Sequence, residues 1–235
     1  MLVRALGGAQ RGAPVAGCVI ICVMFRDRDD AGRRLGLELS KLALSDPVVL
    51  GIPRGGVLVA EGVGASLGVP VDVVVTRKIG APANRELAVG AIAPGVQVWD
   101  RDLLERMQVD PAYLRRTVAA EEEEISRRTA AYRRGRPPVE VVGRSVVIVD
   151  DGLATGATAL AAVRWARAAG AGRVLVAVPV AAPVTVVLVA SEADEVHAIE
   201  TPDSFRAVGE WYEHFDQTSD HEVVAALDRS TEDGR

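Results

Sequence analysis

The sequence predicts an α/β fold: a mostly parallel, doubly wound sheet carrying a helical insertion and a C-terminal lobe. Three observations lead there. Short β-branched runs alternate with helical patterns in the order βαβ…βαβαβ, which implies parallel strands joined by crossover helices. The run Val146–Val149 ends in two adjacent acids and passes through a small-residue turn into a helical pattern. Of the 235 residues, 49% are hydrophobic, enough to bury one large core.

The chain opens on fourteen residues dominated by Gly, Ala and Arg, followed by the apolar run Val15–Phe25. That run is too short for a bilayer span, which takes about 20 residues. Residues 1–23 therefore read as a disordered extension ahead of a single domain, 24–235. A signal peptide is the other reading, since Arg4 and Arg11 precede the run, but no clean small-x-small cleavage site follows it and the chain goes straight into Arg26-Asp27-Arg28-Asp29-Asp30. Cys18 and Cys22 with His197, His214 and His221 show no zinc spacing and no disulfide framework, which suits a reducing, cytoplasmic setting. The net charge of −5 argues against a nucleic-acid surface, and no membrane segment is expected.

Leucines at 35, 39 and 42 place a helix over Asp29–Leu44, ended by Asp46-Pro47. Val48–Ile52 is a buried strand. Pro53-Arg54-Gly55-Gly56 turns it into a helix, Val57–Leu67, closed by Gly68. Gly55 and Gly56 allow a ligand close to the backbone, and Arg54 offers a planar fork for phosphate oxygens. Val71–Thr76 is the next strand, with Arg77 and Lys78 at its end, either as site cations or as a solvated pair. A polar, small-residue stretch, Gly80–Glu86, leads into a hairpin of Leu87–Ile92 and Val96–Trp99. Glu86 is the only acid between Asp72 and Asp100, and both a catalytic and a structural role are open to it.

A helical insertion occupies about residues 100–136. Asp110-Pro111 is a cap followed by proline at the first helical position, and the helix reaches Arg134, about 36 Å at 1.5 Å per residue. Glu121–Glu124 followed by arginines reads as a solvated ion-paired face rather than a metal site. The insertion either packs over the site or forms a homodimer contact. Beyond it come the strand Val146–Val149, a helix over Ala159–Ala169, a strand at Val174–Val180, a helix at Pro183–Ala193 and a last strand at Glu195–Ile199. The C-terminal lobe, about 201–235, gathers Phe205, Trp211, Tyr212 and Phe215, for packing or for stacking on a planar base.

The chemistry concentrates in Val146–Thr158, VVIVDDGLATGAT. A helix N-terminus after Ala154, Thr155, Gly156, Ala157 and Thr158 suits a phosphate, and the threonines add hydroxyl donors. Asp150 and Asp151 suit hydroxyl groups, a cation, or both. The stretch carries neither the Gly-Lys-Ser/Thr of a P-loop nor a GxGxxG fingerprint.

All thirteen positions resemble the binding motif for phosphoribosyl pyrophosphate (PRPP) of type I phosphoribosyltransferases, and the resemblance runs over about residues 24–220. It implies that Asp150 and Asp151 hold the ribose hydroxyls and, directly or through water, Mg²⁺. It implies that the turn Ala154–Thr158 cradles the 5′-phosphate. Arg54-Gly55-Gly56 looks like the family's pyrophosphate loop, with a non-proline cis bond near Pro53-Arg54, while Arg77 and Lys78 would face the pyrophosphate. The polar stretch before the hairpin stands where relatives carry a flexible loop that closes over substrate, and the C-terminal lobe stands where they carry a base-recognising hood. Ala154 occupies a point where enzymes acting on 6-oxopurines often have an acid. The pattern is closer to adenine-type enzymes, where a loop carboxylate, a role open to Glu86, lies near the base.

The resemblance implies an enzyme of nucleotide metabolism that moves 5-phosphoribosyl from PRPP to a small nitrogen acceptor and releases pyrophosphate. Asp150, Asp151, Lys78 and Glu86 are its expected catalytic residues. A regulator on the same fold that binds PRPP or a nucleotide without turnover is the alternative, and an acceptor other than a nucleobase is a third possibility.

Overall fold

The computed structural model describes residues 2–5 and 25–233, without the side chains of residues 2–5, 86 and 231–233. In chain order the elements begin with β1 (Leu2–Ala5), α1 (Arg28–Leu39), β2 (Pro47–Gly51), α2 (Gly55–Leu67), β3 (Val71–Val73), β4 (Arg77–Ala81), β5 (Asn84–Ala93) and β6 (Val96–Trp99). There follow α3 (Arg101–Arg106), α4 (Pro111–Arg133), β7 (Ser145–Val149), α5 (Ala157–Ala168), β8 (Arg173–Val180), α6 (Pro183–Ala190), β9 (Glu195–Glu200) and α7 (Asp220–Asp233).

The central sheet runs β1-β9-β8-β7-β2-β3, and every neighbouring pair is parallel. Parallel strands are covered on both faces, so they read as unbroken apolar runs. All five residues of β7 are buried. The two-residue period sorts them between two cores. Val48, Leu50, Val146 and Ile148 face α5 and α6, with Ala161, Val163 and Val189. Val49, Val147 and Val149 face Leu35, Leu39, Val57, Val63 and Leu227 from α1, α2 and α7. A third cluster, Phe25, Ala31, Val180 and Tyr212, takes in Phe205 and Trp211, so these aromatics of the lobe serve packing.

Several elements differ from the sequence reading. Leu2–Ala5 lie as an edge strand beside β9, within the stretch read as an extension; residues 6–24, with Cys18 and Cys22, lie outside the described residues. The first helix stops at Leu39, because Ser40 and Lys41 close a turn before Leu42. The strand read as Val71–Thr76 pairs only through Val73. Arg77 and Lys78 therefore sit inside β4, which pairs antiparallel with β5. The stretch expected as an open loop is a hairpin turning at Pro82-Ala83, part of a three-stranded sheet β4-β5-β6. Helix α6 ends at Ala190. Among the described residues no helix is long and apolar enough to cross a membrane.

Helix α4 follows its capping signals: the Asp110 side chain accepts from Ala112 N–H at 2.8 Å, with Pro111 first in the helix. Val118, Ile125 and Tyr132 bury one stripe in the second core, and the Tyr132 hydroxyl donates to Asp220 at 2.8 Å. The insertion thus lies against the β4–β5 hairpin and α7, and the described contacts do not place it across the acidic pair.

Candidate functional site

Ligand sites of open parallel sheets lie beyond the carboxyl ends of the strands. Gly51 of β2 pairs with Val149 of β7, so the chain leaves both strands side by side. After β2 it passes through a cis Pro53–Arg54 peptide into α2, and after β7 it carries Asp150 and Asp151. The two runs touch. A Cβ on Gly56 would lie 2.7 Å from the Val149 carbonyl oxygen and 2.8 Å from Asp150 Cα, and one on Gly55 would overlap the Asp151 carboxylate. The sequence reading reserved these glycines for a ligand; their immediate neighbour is the acidic pair.

The two helices that start here share a feature. Neither α2 nor α5 has a side-chain cap hydrogen bond, so both leave amide N–H groups at the cleft. The turn before α5 is held from behind. Thr185 Oγ1 donates to the Ala154 carbonyl at 2.6 Å, Leu153 N–H donates to Val180, and Ala182 N–H donates back to Leu153. Gly156 has φ 77°, and a Cβ there would meet Thr185 at 2.8 Å, so glycine is required on both counts.

Burial pushes the Asp150 carboxyl well above the usual carboxylate range, and the Asp151 charge adds to it; Lys78 and Arg28 oppose the shift. Burial also raises Asp151, against the pull of Arg28. Asp150 Oδ1 accepts the Asp151 N–H at 2.9 Å. Arg28 is a site residue that the sequence reading missed. Its Nε and Nη2 both reach Asp151 Oδ2 at 2.9 Å, and its Nη1 donates to the Asp216 carbonyl at 2.8 Å. Its guanidinium lies 4.0 Å from the Phe215 ring centre. Tyr212, read from the sequence for packing or base stacking, donates its hydroxyl to the Asp151 carbonyl at 2.7 Å.

These groups enclose a cavity of about 360 Å³ lined by Lys78, Asp150, Asp151, Ala154, Thr155, Gly156 and Thr158, with Arg28, Val208 and Phe215 on the lobe side. An adjoining cavity of about 410 Å³ shares Arg28 and Phe215 and adds Arg54, Gly55 and Thr218. Most of the predicted site residues therefore meet. Ala157 begins α5 behind the turn. Arg77 turns away: its Nε donates to Glu121 of α4 at 2.6 Å. Glu86 lies in β5, and its side chain is outside the described residues. A larger cleft, about 740 Å³ between α4, β3 and Trp165, holds none of the predicted residues.

Whether Mg²⁺ suits this site turns on donor chemistry. Among the described residues no group of three or more His, Cys, Asp or Glu could hold a metal by itself. Two adjacent carboxylates still fit Mg²⁺, which keeps several waters and is commonly shared with substrate phosphates.

Residues 29–214 match the model of the family described as phosphoribosyl transferase domain. The chain is 48% identical over 211 residues to a Mycobacterium tuberculosis H37Rv protein that bears the name phosphoribosyl transferase provisionally. The match covers 89% of this chain and 48% of that protein, with the same figures for its counterpart in strain CDC 1551. The chain thus spans about half the length of the curated relatives it matches. Among solved structures it is similar to TT1426 from Thermus thermophilus, with 45% identity and a TM-score of 0.74 over 87% of this chain and 97% of that one.

Proposed function

The chain belongs to the phosphoribosyl transferase domain family, and from that premise we propose that it transfers 5-phosphoribosyl from PRPP to a small nitrogen acceptor. The observation that carries this reading is the single cleft joining Asp150 and Asp151 to the uncapped start of α5. The helix start and the Thr155 and Thr158 hydroxyls bind the 5′-phosphate. The acidic carboxylates accept hydrogen bonds from the ribose hydroxyls and lie near the positive charge that grows on the sugar. In the reaction the bond from C1′ to the pyrophosphate oxygen breaks, and the oxygen keeps the electron pair. The acceptor nitrogen forms the new bond to C1′ and loses its proton to solvent or a nearby base. Lys78, which the Asp150 carboxyl senses, and Arg54 in the adjoining cavity stabilise the leaving pyrophosphate. Asp150 and Asp151 are the residues that would hold Mg²⁺, which would supply charge neutralisation for the leaving group. A cytoplasmic place in nucleotide metabolism and a homodimer are part of the same proposal.

The test is titration calorimetry with Mg²⁺-PRPP on the parent chain and on Asp150→Asn/Asp151→Asn. We expect binding that the double variant weakens at least tenfold with its fold intact; equal affinity in both would remove the acidic pair from the site. Pyrophosphate release is then scored over bases, amines and amides. Hypoxanthine and guanine are expected to be poor acceptors, because Ala154 offers no proton. Binding without release over the whole panel would replace the enzyme by a PRPP-responsive regulator.

A further inference from the structure

Arg28 is the first residue of α1, with Asp27, Asp29 and Asp30 beside it in the chain. Among the described residues it pairs with none of the three. Asp27 pairs with Arg26, Asp29 with Arg33, and Asp30 with Arg33 and Arg34. The Arg28 side chain, only 11% exposed, crosses instead to an aspartate 123 positions away.

Its grip there is specific. Nε and Nη2 converge on one oxygen, Oδ2 of Asp151, while Nη1 donates to the Asp216 carbonyl. Its flat face lies against the Phe215 ring. On a further side, a Cβ at Gly55 would lie 2.6 Å from Arg28 Nε as well as overlapping the Asp151 carboxylate, so glycine there admits the ion pair. The main chain of Asp151 is held separately, by the Tyr212 hydroxyl on its carbonyl. Side chain and backbone of one aspartate are thus each fixed by a residue from outside the β7–α5 turn.

A guanidinium held on several sides is poorly placed to follow a departing phosphate, which sets Arg28 apart from Lys78 and Arg54. What it fixes is the direction of a carboxylate. The last torsion of an aspartate is broad, and a hydroxyl donates well only to an oxygen at the right distance and angle. Two donors on Oδ2 remove that freedom. We propose that Arg28 is the positioning residue of this site, holding the Asp151 carboxylate in the orientation that accepts a ribose hydroxyl, a role that rests on the acidic pair being the ribose subsite. A site that pairs a hydroxyl rejects the analogue lacking it, because its own polar group is then left unpaired. Arg28 therefore sets how sharply ribose is told from deoxyribose.

The probes are ribose 5-phosphate and its 2-deoxy and 3-deoxy forms, titrated calorimetrically in chelator. We expect the parent chain to prefer ribose 5-phosphate to at least one deoxy form by about tenfold or more. In Arg28→Ala that ratio should fall to about threefold or less, with the affinity for the deoxy form within about twofold of the parent, since the α5 N-terminus still holds the phosphate. Arg28→Lys keeps the charge without the fork, and its ratio should fall as well. If Arg28→Ala does not fold, Arg28→Lys alone decides. A parent-like ratio in either folded variant overturns the positioning role. An equal loss for all three ligands also overturns it and leaves Arg28 a structural ion pair. A parent chain that binds the three alike, or none of them, removes the ribose subsite itself and the role of Arg28 with it.

Discussion

Asp150 and Arg28 make opposite predictions. Burial raises the Asp150 carboxyl, so below its ordinary range the folded and unfolded chains bind its proton alike. Between that range and the raised folded value the folded chain binds more proton, so stability falls as pH rises through this window. In chelator, Asp150→Asn should therefore raise the melting temperature at pH 8 by about 3 °C or more, with the gain shrinking to nothing near pH 4. An equal gain at both pH values would mean that the carboxylate charge is not its source. Arg28→Ala should do the reverse. It strands a carboxylate whose side chain is 18% exposed, at a cost of about 3 kcal/mol at pH 8. The loss should be smaller at pH 5, where Asp151 can take a proton, and chemical denaturation at the two pH values measures it. The acidic pair and the turn were legible in the sequence because their signal is contiguous. Arg28 was not, since its partner lies 123 positions away and an arginine among Arg26, Asp27, Asp29 and Asp30 carries no local pattern.

Among the elements, α4 shows why charge patterning alone ranks interactions poorly. Its Glu121–Glu124 and arginine run reads as a solvated face, and Arg127 on Glu124 fits that, with its side chain 59% exposed. Arg133 has the same residue type but a different position. Its Nε donates to Asp72 at 3.0 Å, and Asp72, only 8% exposed, also accepts from Val73 N–H and Val139 N–H. Arg133→Ala would leave that buried charge half-satisfied and should cost about 3 kcal/mol, whereas Arg127→Ala should stay within about 0.5 kcal/mol. Urea midpoints of the two variants check the ranking, and equal losses would contradict it. The buried strands were legible because a two-faced parallel sheet demands continuous Val and Ile. The β4–β5 hairpin was not. Its small and polar residues give a loop's composition, and its pairing comes from Gly80 seating Arg85 and from Tyr113 fastening it to α4. The tail helix α7 escaped notice because its buried stripe, Val223, Ala226 and Leu227, is short.

Across the whole molecule, the early and late parts of the described chain close over the same cleft. Phe25 N–H donates to Trp211, Glu213 N–H to Phe25 and His214 N–H to Arg26, while Arg28 reaches Asp216 and Asp151 together. No sequence pattern announces such an arrangement, because each bond joins residues more than a hundred positions apart. It has a measurable consequence if PRPP binds against Asp151. A ligand that binds only the folded state stabilises it by about 2.7 kcal/mol at a hundred times its dissociation constant. Fastened to the acidic pair by Arg28 and Tyr212, the lobe should share in that stabilisation. Hydrogen exchange with and without Mg²⁺-PRPP should show slower exchange at the amides of Glu213 and His214, alongside the higher melting temperature. The same amides should not respond in Asp150→Asn/Asp151→Asn. Slower exchange confined to the Ala154–Thr158 turn, with Glu213 and His214 unchanged, would show that the lobe stands apart from the ligand and that Arg28 secures Asp151 for stability alone.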